Sequence, residues 1–324
     1  MKTLSPTIMA FLAILFFFSS CQKEKLPLEK EIIHTEKESI TKGHIINNID
    51  IKINNNILEF NSKNDFYSLF DNIKYEELES LINRLAKDEN FISYSESNPN
   101  FSENESMLIG NLISNQGIIK IGDYYLLLDF ENKYVYATKR LSASDFIANY
   151  TTNTSDVYKI HMDTETFEAI DEIENQNVSR GGLFCRQRYA RRKEKSGYSE
   201  LAPGTWSGFS TSVQGRVKYL SYGIYYELQS AVIVHQNGIS KAKYSYTTDY
   251  YCERRCSKKT FSGNNITRNY LNTLKMSTAN RMYWNPRALK GYRISCKVTS
   301  FKVMSGGNFS YLVQKVNSVS MNDW

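Results

Sequence analysis

Ile118-Ile119-Lys120-Ile121-Gly122-Asp123-Tyr124-Tyr125-Leu126-Leu127-Leu128-Asp129-Phe130 is the stretch on which the reading of the fold turns. Two short apolar runs are divided by a Gly-Asp pair, and short runs bounded by turn residues read as strands. Asn115-Gln116-Gly117 places a turn in front of them. Glu131-Asn132-Lys133 reverses the chain behind them, into a third strand from Tyr134 to Thr138. The expectation is an antiparallel sheet with a buried central strand.

Working outward, Ile45 to Phe60 alternates apolar and polar residues through Ile49, Ile51 and Ile53, then through Leu58 and Phe60. Asn54-Asn55-Asn56 between the two runs predicts a hairpin turn. Ser62-Lys63-Asn64-Asp65 has the oxygen-bearing cap and following acid of a helix start. Phe66, Leu69, Phe70 and Ile73 then share one helical face, and Leu78, Leu81, Ile82 and Leu85 share that of a second helix from Tyr75 to Lys87. Ser142-Ala143-Ser144-Asp145 repeats the capping pattern, and Thr164 to Glu174 predicts an acidic helix. Residues 46–179 therefore read as an α+β domain, with short helices beside an antiparallel sheet.

The segment Met107 to Thr138 carries a resemblance. Leu112 to Leu126, followed by Lys133 to Thr138, resembles uncharacterised Bacteroidota lipoproteins. They share a short helix, an Asn-x-x-Gly-x-x-x-Ile-Gly-Asp turn and strand unit, and a hydrophobic hairpin. This chain has one residue fewer between Asn115 and Gly117. The resemblance spans about residues 57–150 and implies no catalytic residues.

The N-terminus agrees with it. Lys2 precedes an apolar run of 11 residues, Ile8 to Phe18, and Ser19-Ser20-Cys21 follows. A run of that length is too short for the roughly 20 residues that span a bilayer, and reads as a secretory signal. It resembles a bacterial lipoprotein signal over residues 1–21, with Phe18 and Ser20 departing from the commonest box. The resemblance implies lipidation of Cys21 and a lipid anchor in the outer membrane, on its periplasmic or cell-surface side. Residues 22–45, of mixed charge and few aromatics, read as a flexible tether, because they bury too little apolar surface to offset ordering. Its start, Gln22-Lys23-Glu24, is similar to surface-export signals of some such lipoproteins.

Charge divides the rest. Gln22 to Ser179 holds 15 basic and 28 acidic residues, whereas Arg180 to Trp324 holds 24 and 6. This reversal, with Ser179-Arg180-Gly181-Gly182, predicts a boundary that leaves 180–324 as a basic domain. Val213 to His235 is rich in Val, Ile and Tyr, Asn237-Gly238 signals a hairpin, and Ile239 to Tyr251 resumes the strand pattern. Gly291 to Met304 and Phe309 to Val319 predict a second hairpin, joined by Ser305-Gly306-Gly307-Asn308. Ile294, Cys296 and Val298 line one face of it. Thr267 to Thr278, with Tyr270, Leu271 and Leu274, suggests a helix. A mainly antiparallel β domain, sandwich-like or a flattened barrel, is expected.

Function is less legible. Cys185, Cys252, Cys256 and Cys296 in an exported chain predict disulfides, of which Cys252 with Cys256 and Cys185 with Cys296 is the favoured set of three. A single Cys-x-x-x-Cys without a second pair argues against zinc, and no motif calls for a metal or cofactor. His34, His44, His161 and His235 are the only histidines. No nucleophile elbow, His-Glu-x-x-His or phosphate loop accompanies them, so a hydrolase is the weakest of the alternatives.

A binding role asks for less. Arg186, Arg188, Arg191, Arg192, Lys193 and Lys195 lie within ten residues, and Arg254, Arg255, Lys258 and Lys259 flank Cys256. Such clusters attract phosphate, sulfate and carboxylate groups. Tyr219, Tyr222, Tyr225, Tyr226, Tyr244, Tyr246, Tyr250 and Tyr251 offer stacking faces, or else fill the strands' core. An anionic glycan, lipopolysaccharide or acidic protein is the partner these features suggest. Nucleic acid is disfavoured by export. The competing expectation is a structural or accessory envelope lipoprotein, whose opposite charges pair with each other.

Overall fold

The computed structural model describes residues 42–46, 49–101, 105–152, 155–175, 185–201, 211–236, 241–273, 277–305, 308–311, 314–315 and 318–324. Cys21 with its signal, most of the expected tether, Ser179 to Gly182 and Asn237-Gly238 lie outside them.

Seven strands form the first sheet in chain order: β1 (Lys42–Ile46), β2 (Ile49–Asn54), β3 (Ile57–Phe60), β4 (Ile118–Ile121), β5 (Tyr124–Asp129), β6 (Tyr134–Thr138) and β7 (Tyr158–His161). The first of these opens inside the stretch expected to be tether. Asn55 and Asn56, with φ of 50° and 61°, make the β2–β3 turn, as a tight hairpin requires of both central residues. Only β3 and β4 run parallel, with Phe60 opposite Ile121. A parallel pair needs a crossover. Here it contains α1 (Lys63–Asn72), α2 (Tyr75–Glu89), α3 (Tyr94–Ser97) and α4 (Met107–Leu112). Ser62 Oγ caps α1 by accepting from the Asp65 amide at 3.1 Å, and Ser142 does the same for Asp145 in α5 (Ala143–Asn149) at 3.2 Å. The helix α6 (Thr166–Asn175) follows β7.

Both faces of this sheet are covered. Ile118, Leu127 and Tyr136 lie opposite one another in register and pack with Phe146 of α5. Ile119, Leu126, Leu128 and Val135 face the other way, against α1, α2, α4 and α6. Double-sided burial is why the quoted stretch reads as nearly continuous apolar sequence.

The C-terminal half builds two further antiparallel sheets. One has the order β13 (Ser277–Asn285), β10 (Tyr226–Gln236), β9 (Thr211–Ser221), β8 (Lys193–Leu201) and β16 (Gln314–Lys315). The other has the order β12 (Thr260–Thr273), β11 (Lys241–Arg254), β14 (Leu289–Ser305) and β15 (Asn308–Tyr311), with β17 (Ser318–Asp323) also on β14. Val217, Leu228 and Val232 of the first share one core with Tyr244, Ile294, Cys296, Val298 and Val319 of the second, a sandwich-like arrangement. Ser230 and Thr248 form a buried hydroxyl pair at 2.7 Å between them.

The turn between β9 and β10 joins the halves. Its Tyr222, Ile224 and Tyr225 belong to the first sheet's core, with Tyr225 5.6 Å from Phe70 and Tyr222 5.9 Å from Phe130, ring centre to ring centre. Gly223 sits at φ +75°, its amide donating to Met162 O at 2.8 Å and its carbonyl accepting from Thr166 N at 2.9 Å. A Cβ there would lie 2.6 Å from Val135 Cγ2, so both the conformation and the space call for glycine.

Besides the tether's end, three sequence expectations need correction. The helix expected over Thr267 to Thr278 is not formed by its described residues: those to Thr273 belong to β12, where pairing with β11 overrides the local leucine spacing, and Ser277 and Thr278 open β13. The strands flanking Asn237-Gly238, β10 and β11, lie in different sheets and do not pair as a hairpin. The disulfide pairing also differs, as the next section describes.

Candidate functional site

Acidic side chains before residue 180 meet basic side chains after it along a seam. Glu105, ahead of α4, accepts from Arg192 Nη2 at 2.6 Å on both oxygens and from Tyr222 Oη at 2.8 Å. Glu168 of α6 pairs with the Arg255 guanidinium and accepts from Tyr189 Oη at 3.1 Å. Arg255 also lies 3.8 Å over the Tyr189 ring and donates from Nε to Gln187 O at 2.7 Å. Asp71 of α1 takes Asn285 Nδ2 at 3.0 Å and has Arg254 at 3.6 Å. Charge-assisted bonds of this kind, held partly out of water, are stronger than neutral ones.

Glu165 lies at the centre of the seam, 2% exposed, accepting from the Ala288 amide at 2.8 Å with Arg287 at 3.6 Å. Burial, helped by nearby Glu168, pushes its carboxyl up to about 7 against the pull of the Ala288 amide and of Arg287 and Arg255. Asp323 behaves oppositely. Burial alone would raise it, but hydrogen bonds from Lys193, the Arg191 amide and Arg188 outweigh that and hold it below the usual range.

The ten basic candidates therefore divide. Arg188 and Lys193 are tied to Asp323 at 2.8 and 2.6 Å, Arg192 to Glu105, Arg254 to Asp71, and Arg255 to Glu168. Arg186, Arg191, Lys195, Lys258 and Lys259 are exposed, with no side-chain ion pair among the described residues. The sequence left open whether these clusters pair with the chain's own acids or face solvent; three of the cations pair with acids before residue 180 and two with Asp323. The excess of acid before residue 180 was the available signal, but it named no individual partner.

Cys185 is bonded to Cys256, with a Cα separation of 5.7 Å across 71 residues of sequence. Cys252 and Cys296 are buried and carry no disulfide, and burial pushes each thiol up to about 12. The favoured set fails because Cys256, the expected partner of Cys252, is bonded to Cys185, the expected partner of Cys296, and register keeps the two remaining thiols apart. Thr248 stands opposite Cys296, and Cys252 lies four residues further along β11, a distance of roughly 13 Å at about 3.3 Å per residue. Cys256 instead lies in the β11–β12 turn with φ of 54°, where it meets Cys185. The bridge brings Arg186 beside the turn that carries Lys258 and Lys259, and Gln187 Oε1 accepts from the Cys256 amide at 2.9 Å.

The tyrosines separate as sharply. Tyr219, Tyr222, Tyr225, Tyr226, Tyr244 and Tyr246 are buried and present no stacking face, whereas Tyr250 and Tyr251 are only half-buried. Ser221 Oγ donates to Asp163, and the Asp163 amide donates to His161 Nδ1 at 3.2 Å. The Asp163 carboxylate accepts from the hydroxyl and its amide donates to the imidazole, so the imidazole does not stand between hydroxyl and carboxylate as nucleophile activation requires. Among the described residues no group of three or more metal-ligating side chains comes together, and no helix is long and apolar enough to cross a membrane. No family model matches the chain, and no curated protein is significantly similar to it.

Proposed function

We propose that this protein is an envelope lipoprotein, anchored in the outer membrane through Cys21, whose basic β-sandwich domain binds an anionic partner while its acidic α+β domain is held against it by the seam. The observation that carries the reading is the division of the basic residues. Five are neutralised within the molecule, and a disulfide gathers Arg186, Lys258 and Lys259 at a solvent-facing loop pair without a counter-ion among the described residues. Exposed cations fixed on a cross-linked loop attract anionic groups at long range and lose little freedom on binding. The lipoprotein-like signal and the resemblance of residues 57–150 to Bacteroidota lipoproteins support the location.

The second reading, a structural lipoprotein without a ligand, is favoured by the internal ion pairs, since the seam accounts for Arg192, Arg254 and Arg255 and Asp323 accounts for Arg188 and Lys193. Retention on a heparin resin separates the two. On the first reading the folded protein elutes late, and Arg186→Glu with Lys258→Glu and Lys259→Glu elutes markedly earlier; equal elution of both proteins leaves the structural reading standing. Metabolic labelling with a fatty acid tests the anchor, since it should mark the wild type and spare Cys21→Ser.

A further inference from the structure

The outer face of β11, β14 and β17 carries a groove of about 750 Å3, lined among others by Lys195, Asn264, Asn265, Arg293, Ser320 and Asn322. Its shape is built by an irregularity in the sheet. Between Thr248 and Tyr250 the β11–β12 register shifts, and Asn264-Asn265 bulges out, Asn265 at φ 52°. Asp249 fastens the bulge by accepting from the Asn265 amide at 2.6 Å and from Ser295 Oγ at 3.4 Å. Bulges re-aim side chains in this way beside binding sites. The Asp249 carboxylate is occupied by the scaffold, and Lys195 and Arg293 are exposed cations that outnumber it.

An aromatic column stands beside the groove. Arg293 pairs with Tyr251 across the strands, and its guanidinium lies 5.4 Å from the Tyr251 ring centre. The Tyr251 ring is in turn 5.5 Å from that of Trp324, which is 48% exposed. Gly291 leaves the room the indole needs, because a Cβ there would meet Trp324 Cε3 at 2.6 Å. An exposed indole beside a tyrosine and an arginine, on a strand scaffold, is apolar surface kept next to water with its polar contacts already placed.

We infer that this groove and column form a binding site for an acidic saccharide. The flat apolar face of a sugar ring suits the Trp324–Tyr251 surface. Asn264, Asn265, Ser320 and Asn322 both donate and accept, which matches hydroxyl groups. Arg293 and Lys195 meet a carboxylate or sulfate, with Arg293 able to bind it in two parallel hydrogen bonds. An acidic peptide would use the two cations and leave the amide-rich wall and the aromatic column without a role. A groove of this size falls within the range of small-molecule sites. It shares no residue with the Arg186, Lys258 and Lys259 cluster, so it stands whether or not that cluster binds anything.

Titration calorimetry of the folded full-length protein with three tetrasaccharides tests the inference: a tetragalacturonate, a heparin fragment, and neutral cellotetraose. At least one acidic sugar should bind about tenfold or more tightly than the neutral one, which also identifies carboxylate or sulfate as the preferred group. Arg293→Gln and Trp324→Ala, both exposed changes, should each weaken it by about tenfold, whereas Arg186→Glu with Lys258→Glu and Lys259→Glu should leave it unchanged. No binding of either acidic sugar, equal binding of the neutral one, or insensitivity to Arg293→Gln overturns the site. Loss of the same binding in the triple loop variant would transfer it to the loop cluster and overturn it equally.

Discussion

Arg255 and Lys258 are three residues apart in one turn, yet they belong to different regions of the molecule. The Arg255 side chain is 3% exposed, stacked on Tyr189 and paired with Glu168, while Lys258 faces solvent. The same contrast divides Arg192 from Arg186 in the longer basic run. A cluster of positive charge in a sequence thus covers two physically different things, cations that hold a fold together and cations left for something else.

Breaking the link that holds both regions in place has the largest expected effect. Cys185–Cys256 closes a loop of 71 residues, and the chain-entropy estimate for a loop of that length is about 4 kcal/mol. Cys185→Ser with Cys256→Ser should lower the denaturation midpoint accordingly, and addition of reductant should lower only the wild type. Equal midpoints for wild type and variant would show that the cross-link holds nothing the rest of the fold does not.

Next comes the seam. Removing one member of a buried pair strands its partner, which costs about 3 kcal/mol at the lower end of the usual range. That end applies to Arg255→Ala, because the Glu168 side chain is still 26% exposed. Chemical denaturation measures it. A loss below about 0.5 kcal/mol would place Arg255 with the solvated surface charges, and so erase the distinction from Lys258.

How far these regions were legible in the sequence follows from the range of the interactions. The strands from Ile118 to Thr138, the Asn55-Asn56 turn and the caps at Ser62 and Ser142 are set by neighbours a few residues away, and they were readable. The β12 strand was not. Tyr270, Leu271 and Leu274 fit a helical face, but the two-strand register with β11 decides the segment. The seam was still less accessible, because its pairs join residues far apart in sequence, 87 positions between Glu105 and Arg192 and 214 between Asp71 and Asn285. Composition announced that acid and base were present in separate halves; only the fold says which of them meet. The groove at Arg293 was invisible for the same reason, being made where β8, β11, β12, β14 and β17 converge.

Glu165 sharpens the comparison through pH. Its folded pKa, raised from 4.5 to about 7, means that the folded state holds the proton more tightly than the unfolded one. Its contribution to stability is therefore complete below its unfolded value and is lost as pH rises through about 7. Glu165→Gln keeps an oxygen for the Ala288 amide and removes the charge. From about pH 4.5 to about pH 8 the wild type should lose about 3 kcal/mol relative to this variant, with the gap constant above that. Parallel stability curves for the two proteins across this window would mean that the seam tolerates the bare carboxylate, and that its centre is as wet as its exposed rim.

The smallest effect belongs to the exposed set, and smallness is what distinguishes it. Arg186→Glu changes a solvated side chain with no ion pair among the described residues, so stability should move by no more than about 0.5 kcal/mol. Arg192→Glu, six residues away, would set a carboxylate against Glu105 in a partly buried site. It should lower the midpoint clearly, at low and at high salt alike, because buried charges are screened little. Retention on heparin should order the two variants the other way. Arg186→Glu should elute earlier, in a manner that fades as salt shortens the Debye length to about 3 Å near 1 M, and Arg192→Glu, while folded, should elute much as wild type does. If both variants shift stability and retention together, the run acts as one surface, and the division between a cation that holds the fold and one that faces outward does not describe it.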